Sequence, residues 1–383
     1  MVGIKNKTPH IYLIAGEASG DFLGAQLMKA LKKQNPNMQF SGVGGELMAA
    51  EGLYSLFPMN DLSVMGVMEV LPKLKLLLKR IKQTSDNIIK LNPDVVVTID
   101  APDFCFRVIR RVKKKSLTHS KFIHYVAPTV WAWRPKRAEK IAKFLDGLIC
   151  LFDFEPPYFE KENLSAIAAG HPMMENGLIE AQPLKIGKAA VPKLGVFFGS
   201  RQGEIKRLSP VILESLQKII NEKPEIELVI PTLPHLEKQI RDLTQAIKNP
   251  VHIYTDSAQK WSVFKACDAA IAVSGTVGLE LAACGVPHVI VYKMNGLTFR
   301  ILKHIVTTRF AHLANIMADR EIVPEFIQDD ARADDIANEV LLLLEDRATA
   351  QDQRKDFEVI RHQIGGKNHK PSDLAAEFVL KQI

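Results

Sequence analysis

Three stretches of the sequence place acids and small residues where a catalyst would use them. The first is "VTIDAPDF", residues 97–104. A β-branched run ends in Asp100, and Asp103 follows a proline. An acid closing a buried strand can take a proton from an attacking hydroxyl; it can also just end a strand at the surface. Asp103, behind Pro102, is expected to cap the next helix. The second stretch is "FFGSRQGEI", residues 197–205. Gly199 and Ser200 expose backbone N–H groups and Arg201 adds a planar charged fork, a set suited to a diphosphate. The third is "AVSGTVGLE", residues 272–280. Ser274, Gly275 and Thr276 open a helix whose unsatisfied N–H groups and positive dipole end attract phosphate. Glu280 lies one turn further, where a carboxylate can accept ribose hydroxyls or balance the dipole. Arg201, Ser274, Thr276 and Glu280 all fall at strand ends of one half of the chain, which points to a nucleoside diphosphate.

Other loops carry less specific signals. "IAGEASGDFLGAQL" (14–27) is a strand-to-helix turn whose small residues let a ligand approach. Glu17 stands where a phosphate cradle avoids negative charge, so Glu17, Ser19 and Asp21 suit a hydroxyl-bearing acceptor, with Asp21 also able to cap the helix expected to start there. In "YVAPTVWAWRPKRAEK" (125–140), Trp131 and Trp133 can line a sugar or acyl pocket, and Arg134, Lys136 and Arg137 can meet an acceptor phosphate. The alternative is a hydrophobic lid over a basic helix start. In "SVMGVMEVLPKLKLLLKRIK" (63–82), Leu71, Leu74, Leu78 and Ile81 recur at helical steps with Leu77 beside them, among five cations, Lys73, Lys75, Lys79, Arg80 and Lys82. An ordinary core-facing helix reads this way. The apolar entry loop (Val64, Met65, Val67, Met68, Val70) favours instead a basic amphipathic helix at a membrane interface. No H-x-x-x-H occurs, nor a D-x-D pair after a strand, so neither a metal nor a cofactor is expected.

Short apolar runs alternating with helical patterns must position these residues. Strands are expected at His10–Gly16, Gln39–Gly44, Val95–Asp100, Phe122–Val126 and Gly147–Phe152, and again at Leu194–Phe198, Leu228–Pro231, His252–Tyr254, Ala269–Val273 and His288–Tyr292. Runs such as "DVVVTI" have the continuous apolarity of strands buried on both faces. The fold class is α/β: two doubly wound Rossmann-like domains facing a cleft, with ligands at the C-terminal strand ends. A polar stretch, Gln182–Pro192, is the expected linker. The domains are then 1–185, for the acceptor; 186–350, for the nucleotide; and a helical segment, 351–383, that packs back on the first domain or on a partner subunit.

The bulk properties agree. With 383 residues, two cores are expected. A hydrophobic share of 47% and a charged share of 24% are those of a globular protein. A net charge of +7 suits an anionic partner, or simply solubility. One aromatic–basic patch is thin grounds for nucleic acid. Cys105, Cys150, Cys267 and Cys284 are scattered, as buried thiols in a reducing cytoplasm are. The N-terminal apolar run is too short for a signal peptide, and no run reaches the roughly 18 apolar residues of a membrane span.

Taken together, "AGEASGD", "SVMGVMEVLP", "IDAPDF", "YVAPTVWAWR", "GHP" at 170–172, "GSR", "SGTVGLE", "NIM" and "VPEFIQ" are similar, in type and order, to the motifs of the lipid-A-disaccharide synthases. These are inverting glycosyltransferases of the GT-B type. The resemblance implies transfer of 2,3-diacylglucosamine from UDP to 2,3-diacylglucosamine 1-phosphate, with Asp100 as base and Arg201, Glu280 and Asn315 on the UDP side. It also implies peripheral association with the inner membrane and a C-terminal segment that can exchange between subunits of a homodimer. A UDP-sugar epimerase or hydrolase of the same fold, and a non-catalytic binder of anionic lipid or nucleic acid, remain as alternatives.

Overall fold

The computed structural model describes residues 8–62, 67–131, 136–273, 275–294, 299, 308–365 and 369–383; for 67–73 it describes the backbone alone. Two compact units form. Unit 1 runs to Pro172 and adds Ile364–Ile383; unit 2 is Met173–Gln363.

Unit 1 has a parallel sheet of β1 (His10–Ala15), β2 (Gln39–Val43), β3 (Val95–Ile99), β4 (Lys121–Tyr125), β5 (Gly147–Cys150) and β6 (Ala166–Ala168). Its order is β2-β1-β3-β4-β5-β6. The helices are α1 (Ala18–Gln34), α2 (Glu46–Ala50), α3 (Val67–Leu91), α4 (Pro102–Lys115), α5 (Arg137–Ala142) and α6 (Pro156–Glu160). β1 and β3 are almost wholly buried, which is why their sequences are apolar without alternation. One sheet face packs on α4, through Phe104, Val108 and Val112. The other packs on α1 and on the helix Pro371–Leu380, which buries Ala375, Ala376, Phe378 and Val379. A Cβ on Gly147 would lie 2.8 Å from the Phe378 ring, so that strand start must be glycine for the helix to dock.

Unit 2 has β7 (Lys193–Phe197), β8 (Glu227–Pro231), β9 (Val251–Tyr254), β10 (Ala269–Val273), β11 (His288–Tyr292) and β12 (Glu325–Ile327), with α7 (Gln202–Glu222), α8 (Glu237–Thr244), α9 (Lys260–Lys265) and α10 (Thr276–Cys284). Its order is β12-β11-β10-β7-β8-β9. The stretch 173–192, expected to end the first domain and link to the second, packs on unit 2. Trp261 Nε1 donates to Asn176 O (2.7 Å), Leu184 N to Ser262 O (2.9 Å) and Lys265 Nζ to Ala181 O (2.9 Å). Likewise the helix Arg347–Ile364 is tied into unit 2, where Gln353 bonds both backbone groups of His288.

Candidate active site

An open α/β sheet offers a ligand crevice where the strand order reverses, outside the carboxyl ends of the strands. In unit 1 that point lies between β1 and β3, and Asp100 follows β3 directly. Gly16 closes β1, and a Cβ there would sit 2.9 Å from the Ala101 Cβ, so the two loops touch. Asp100 (φ 52°) and Ala101 (φ 42°) are both left-handed, an uncommon conformation for residues with a Cβ. Asp100 N still donates to Tyr125 O at 2.9 Å, which anchors the turn to β4. The half-buried Asp100 carboxylate makes no hydrogen bond or ion pair among the described residues. It stands just ahead of the α4 N-terminus.

Asp103 does not cap that helix. Pro102 starts α4 earlier than expected, Ala101 holds the cap position, and Asp103 is an exposed first-turn acid. Asp21 also differs from expectation. α1 begins at Ala18, which puts Asp21 inside the helix, and its buried carboxylate accepts from Gly45 N (2.8 Å), Leu47 N (2.9 Å) and Met48 N (3.1 Å). It therefore caps α2 instead of meeting an acceptor. Glu17, half-buried, and Ser19, exposed, remain at the crevice side of the α1 N-terminus.

Trp133 and Arg134 lie outside the described residues. Trp131 is buried: its Nε1 donates to Glu155 Oε1 (3.2 Å) and its ring packs edge-on to Phe154 at 5.2 Å. Glu155 also accepts from Leu151 N and Phe152 N, and burial pushes its carboxyl up to about 7. Trp131 is thus a core anchor and not a pocket wall.

In unit 2 the order reverses between β7 and β10. A cleft of about 730 Å³ opens there, lined by Gly199, Ser200, Arg201, Gly275, Thr276 and Glu280. Ser274 lies outside the described residues. Gly199 (φ 102°) and Gly275 (φ 153°), both on the cleft wall, adopt backbone conformations that side chains disfavour. Gly275 holds the cap position of α10 with no side chain over the helix end. Arg201 precedes α7; its guanidinium, 65% exposed, reaches Glu204 at 3.3 Å. Such an exposed pair is weak and yields readily to an anion. The loops after β8 (Thr232, Leu233, Pro234) and β9 (Tyr254 to Ser257) complete the walls. Sequence reasoning passed these over, although both follow strands it had assigned. It also passed over Lys260, whose Nζ meets Glu280 Oε1 at 2.7 Å.

Asn315 lies elsewhere. Fully buried, it spends its amide on Val323 O and Glu325 Oε1 (both 2.8 Å) and its carbonyl on Ile322 N (2.8 Å) and Val323 N (2.9 Å). With that capacity used, it pins the helix Leu313–Ala318 to β12 and holds nothing back for a nucleotide.

In α3, Leu77 and Ile81 pack on the unit 1 core, so Leu77 faces inward. Leu74 (42%) and Leu78 (50%) are exposed. Met65 lies outside the described residues, as do the side chains of Met68, Val70 and Leu71. Arg80 is bound to Asp61 (2.6 Å) and stacks on Phe57. Among the described residues no helix is long and apolar enough to cross a membrane.

The lipid-A-disaccharide synthetase family profile matches residues 11–379. The chain belongs to that family. Lipid-A-disaccharide synthase of Rhodospirillum centenum is 42% identical over 97% of this chain and 94% of its own length. The enzymes of Ruegeria pomeroyi, at 40%, and Pseudomonas putida, at 37%, cover 97% of the chain as well. Solved structures share the GT-B fold at much lower identity. The UDP-GlcNAc 2-epimerase of Neisseria meningitidis, bound to UDP-GlcNAc, has a TM-score of 0.66 at 12% identity, over 97% of this chain and all of its own. Acinetobacter baumannii MurG has 0.56 at 13%, over 97% of this chain and 99% of its own.

Proposed function

We infer that the chain is the hexosyltransferase that forms the lipid A disaccharide. It transfers 2,3-diacylglucosamine from UDP-2,3-diacylglucosamine to 2,3-diacylglucosamine 1-phosphate, with inversion, and releases UDP. Family membership across residues 11–379 carries this reading. The fold shared with epimerases does not redirect it, because likeness at 12% identity speaks to architecture alone. Nor does a non-catalytic binder need a cleft walled by four strand ends.

In this reading unit 1 serves the acceptor and unit 2 the nucleotide. Asp100 takes the proton of the acceptor 6-hydroxyl as its oxygen attacks the anomeric carbon. The bond from that carbon to the UDP oxygen breaks on the opposite face, which inverts the centre. The charge that develops on the departing diphosphate is met by Arg201 and by the N–H groups of Gly275 and Thr276. Glu280 holds the ribose hydroxyls. The strain at Asp100 and Ala101 supports the first assignment, since such conformations cluster at functional sites. Glu17 and Ser19 face the acceptor.

The membrane is the proposed source of both acylated substrates, met peripherally on the cytoplasmic side through the exposed Leu74 and Leu78 and the cations Lys75 and Lys79. Serine at both leucines would then move the protein from vesicles to solution in a flotation assay. A homodimer is the further partner in this reading; sedimentation velocity would register it. The reaction itself is tested by mass spectrometry of an incubation with both sugars. A disaccharide 1-phosphate is expected. Consumption of the UDP-sugar without acceptor would point to an epimerase or hydrolase instead.

A further inference from the structure

A carboxylate is a liability in a diphosphate site. Thr276 opens α10 and Glu280 follows one turn on, about 6 Å along the axis at 1.5 Å per residue. A nucleotide bridging the two would bring its phosphates close to a negative side chain. The rest of the cleft adds to the difficulty. Among its described lining residues, three acids, Glu204, Asp256 and Glu280, stand against two cations, Arg201 and Lys260. Arg201 is already shared with Glu204.

Lys260 is built to answer Glu280. It opens α9 immediately after the turn that Asp256 closes by accepting from Ala258 N. Its ammonium lies 4.7 Å from the Trp261 ring centroid and 5.6 Å from that of Phe264, two faces that attract a cation. Trp261 is fixed in turn by its bond to Asn176 O, at 2.7 Å. The ammonium meets Glu280 Oε1 at 2.7 Å, and Oε2 makes no hydrogen bond among the described residues.

We propose that Lys260 is a charge-compensating residue for the nucleoside diphosphate. It holds one oxygen of Glu280, leaves the other for the ribose hydroxyls, and cancels the charge that would repel the phosphates. The inference rests on the nucleotide reading of the unit 2 cleft. It makes Lys260 matter for UDP and hardly at all for uridine, which has the same ribose and no phosphate.

Calorimetric titration of the full-length protein with UDP and with uridine tests this. Lys260→Met should weaken UDP binding about tenfold, the size of an uncompensated charge one helical turn away, and uridine binding by less than about twofold. Lys260→Arg should retain the wild-type preference for UDP and guards against a fold defect in the methionine variant. Adding Glu280→Gln to Lys260→Met should weaken uridine yet restore the UDP-to-uridine affinity ratio, because the repelling charge is gone. Equal losses for the two ligands, or no recovery of the ratio in the double variant, would overturn the inference while leaving the nucleotide site standing. A wild-type protein that binds no UDP would overturn both.

Discussion

The two crevices solve one topological problem with different residues. In unit 1 the chain leaves β3 through Asp100 and Ala101, both left-handed and both bearing a Cβ, and it leaves β4 through Val126 at φ 78°. In unit 2 the exits after β7 and β10, the strands at its own switch point, carry Gly199 and Gly275. Left-handed backbone costs an L-residue roughly 1–2 kcal/mol, and glycine avoids the cost. The contrast fits the roles proposed for the two crevices. Where phosphate is to be held by N–H groups, a residue without a side chain is the best choice. Where a proton is to be abstracted, a carboxylate is needed even at the cost of strain. Charge does not divide so simply: Glu17 and Asp100 stand at one crevice, whereas the other sets Arg201 and Lys260 against Glu204, Asp256 and Glu280.

The largest expected effect breaks the comparison at its centre. Asp100→Asn should cut turnover by about 10²–10⁴-fold, the usual contribution of a positioned base, with UDP affinity unchanged. Arg201→Ala should do the reverse in part, weakening UDP about tenfold or more through loss of a charge-assisted contact. Initial rates together with UDP titration of both variants separate the roles, and near-wild-type turnover of the Asp100 variant would end its claim.

Acid should distinguish the units next. His288 is held down to about 4 by burial, and its neighbour His312, 3.2 Å away, is lowered too. As pH falls below the ordinary 6.5, the unfolded chain takes up protons that these imidazoles refuse. Stability is then lost at up to about 1.4 kcal/mol per pH unit for each. Unit 1 has a matching term in His124, held at about 3 by burial and Arg137. It also has an opposing one. Folded Glu155 accepts its proton near 7 and the unfolded chain only near 4.5, so stability rises as pH falls across that window. Hydrogen exchange at pH 5 should therefore show unit 2 opening before unit 1, and Glu155→Gln should narrow the difference, leaving His124 alone against the histidine pair of unit 2.

The smallest effect is a gain. Ala101→Gly relaxes one of the two left-handed residues and should stabilise unit 1 by about 1 kcal/mol, read as a higher Tm. No gain would mean the turn bears little strain.

Much of the fold was legible because buried parallel strands are written as unbroken apolar runs. β6 and β12 escaped notice: three residues at a sheet edge, half-exposed, carry no periodicity to read. Helix starts slipped for a related reason. Ala18 and Pro102 begin α1 and α4 without a capping side chain, so the nearest acids, Asp21 and Asp103, drew the cap instead. In the site, residues at strand ends were found by position and chemistry together. Lys260 was missed because its role depends on a partner twenty positions away in sequence, and Asn315 was overread because a polar residue in a motif looks the same whether it binds a ligand or its own backbone.

Because Ala375, Phe378 and Val379 complete the core beside α1 and β5, the half of the molecule that leaves the ribosome first cannot be finished until residues 371–380 have followed it. Unit 2, which runs from Met173 to Gln363, can close its core earlier. Translation order and maturation order are thereby inverted, and the early-born sheet must wait, with the part of one face beyond α1 uncovered, for residues 371–380, a period in which that apolar surface needs shelter.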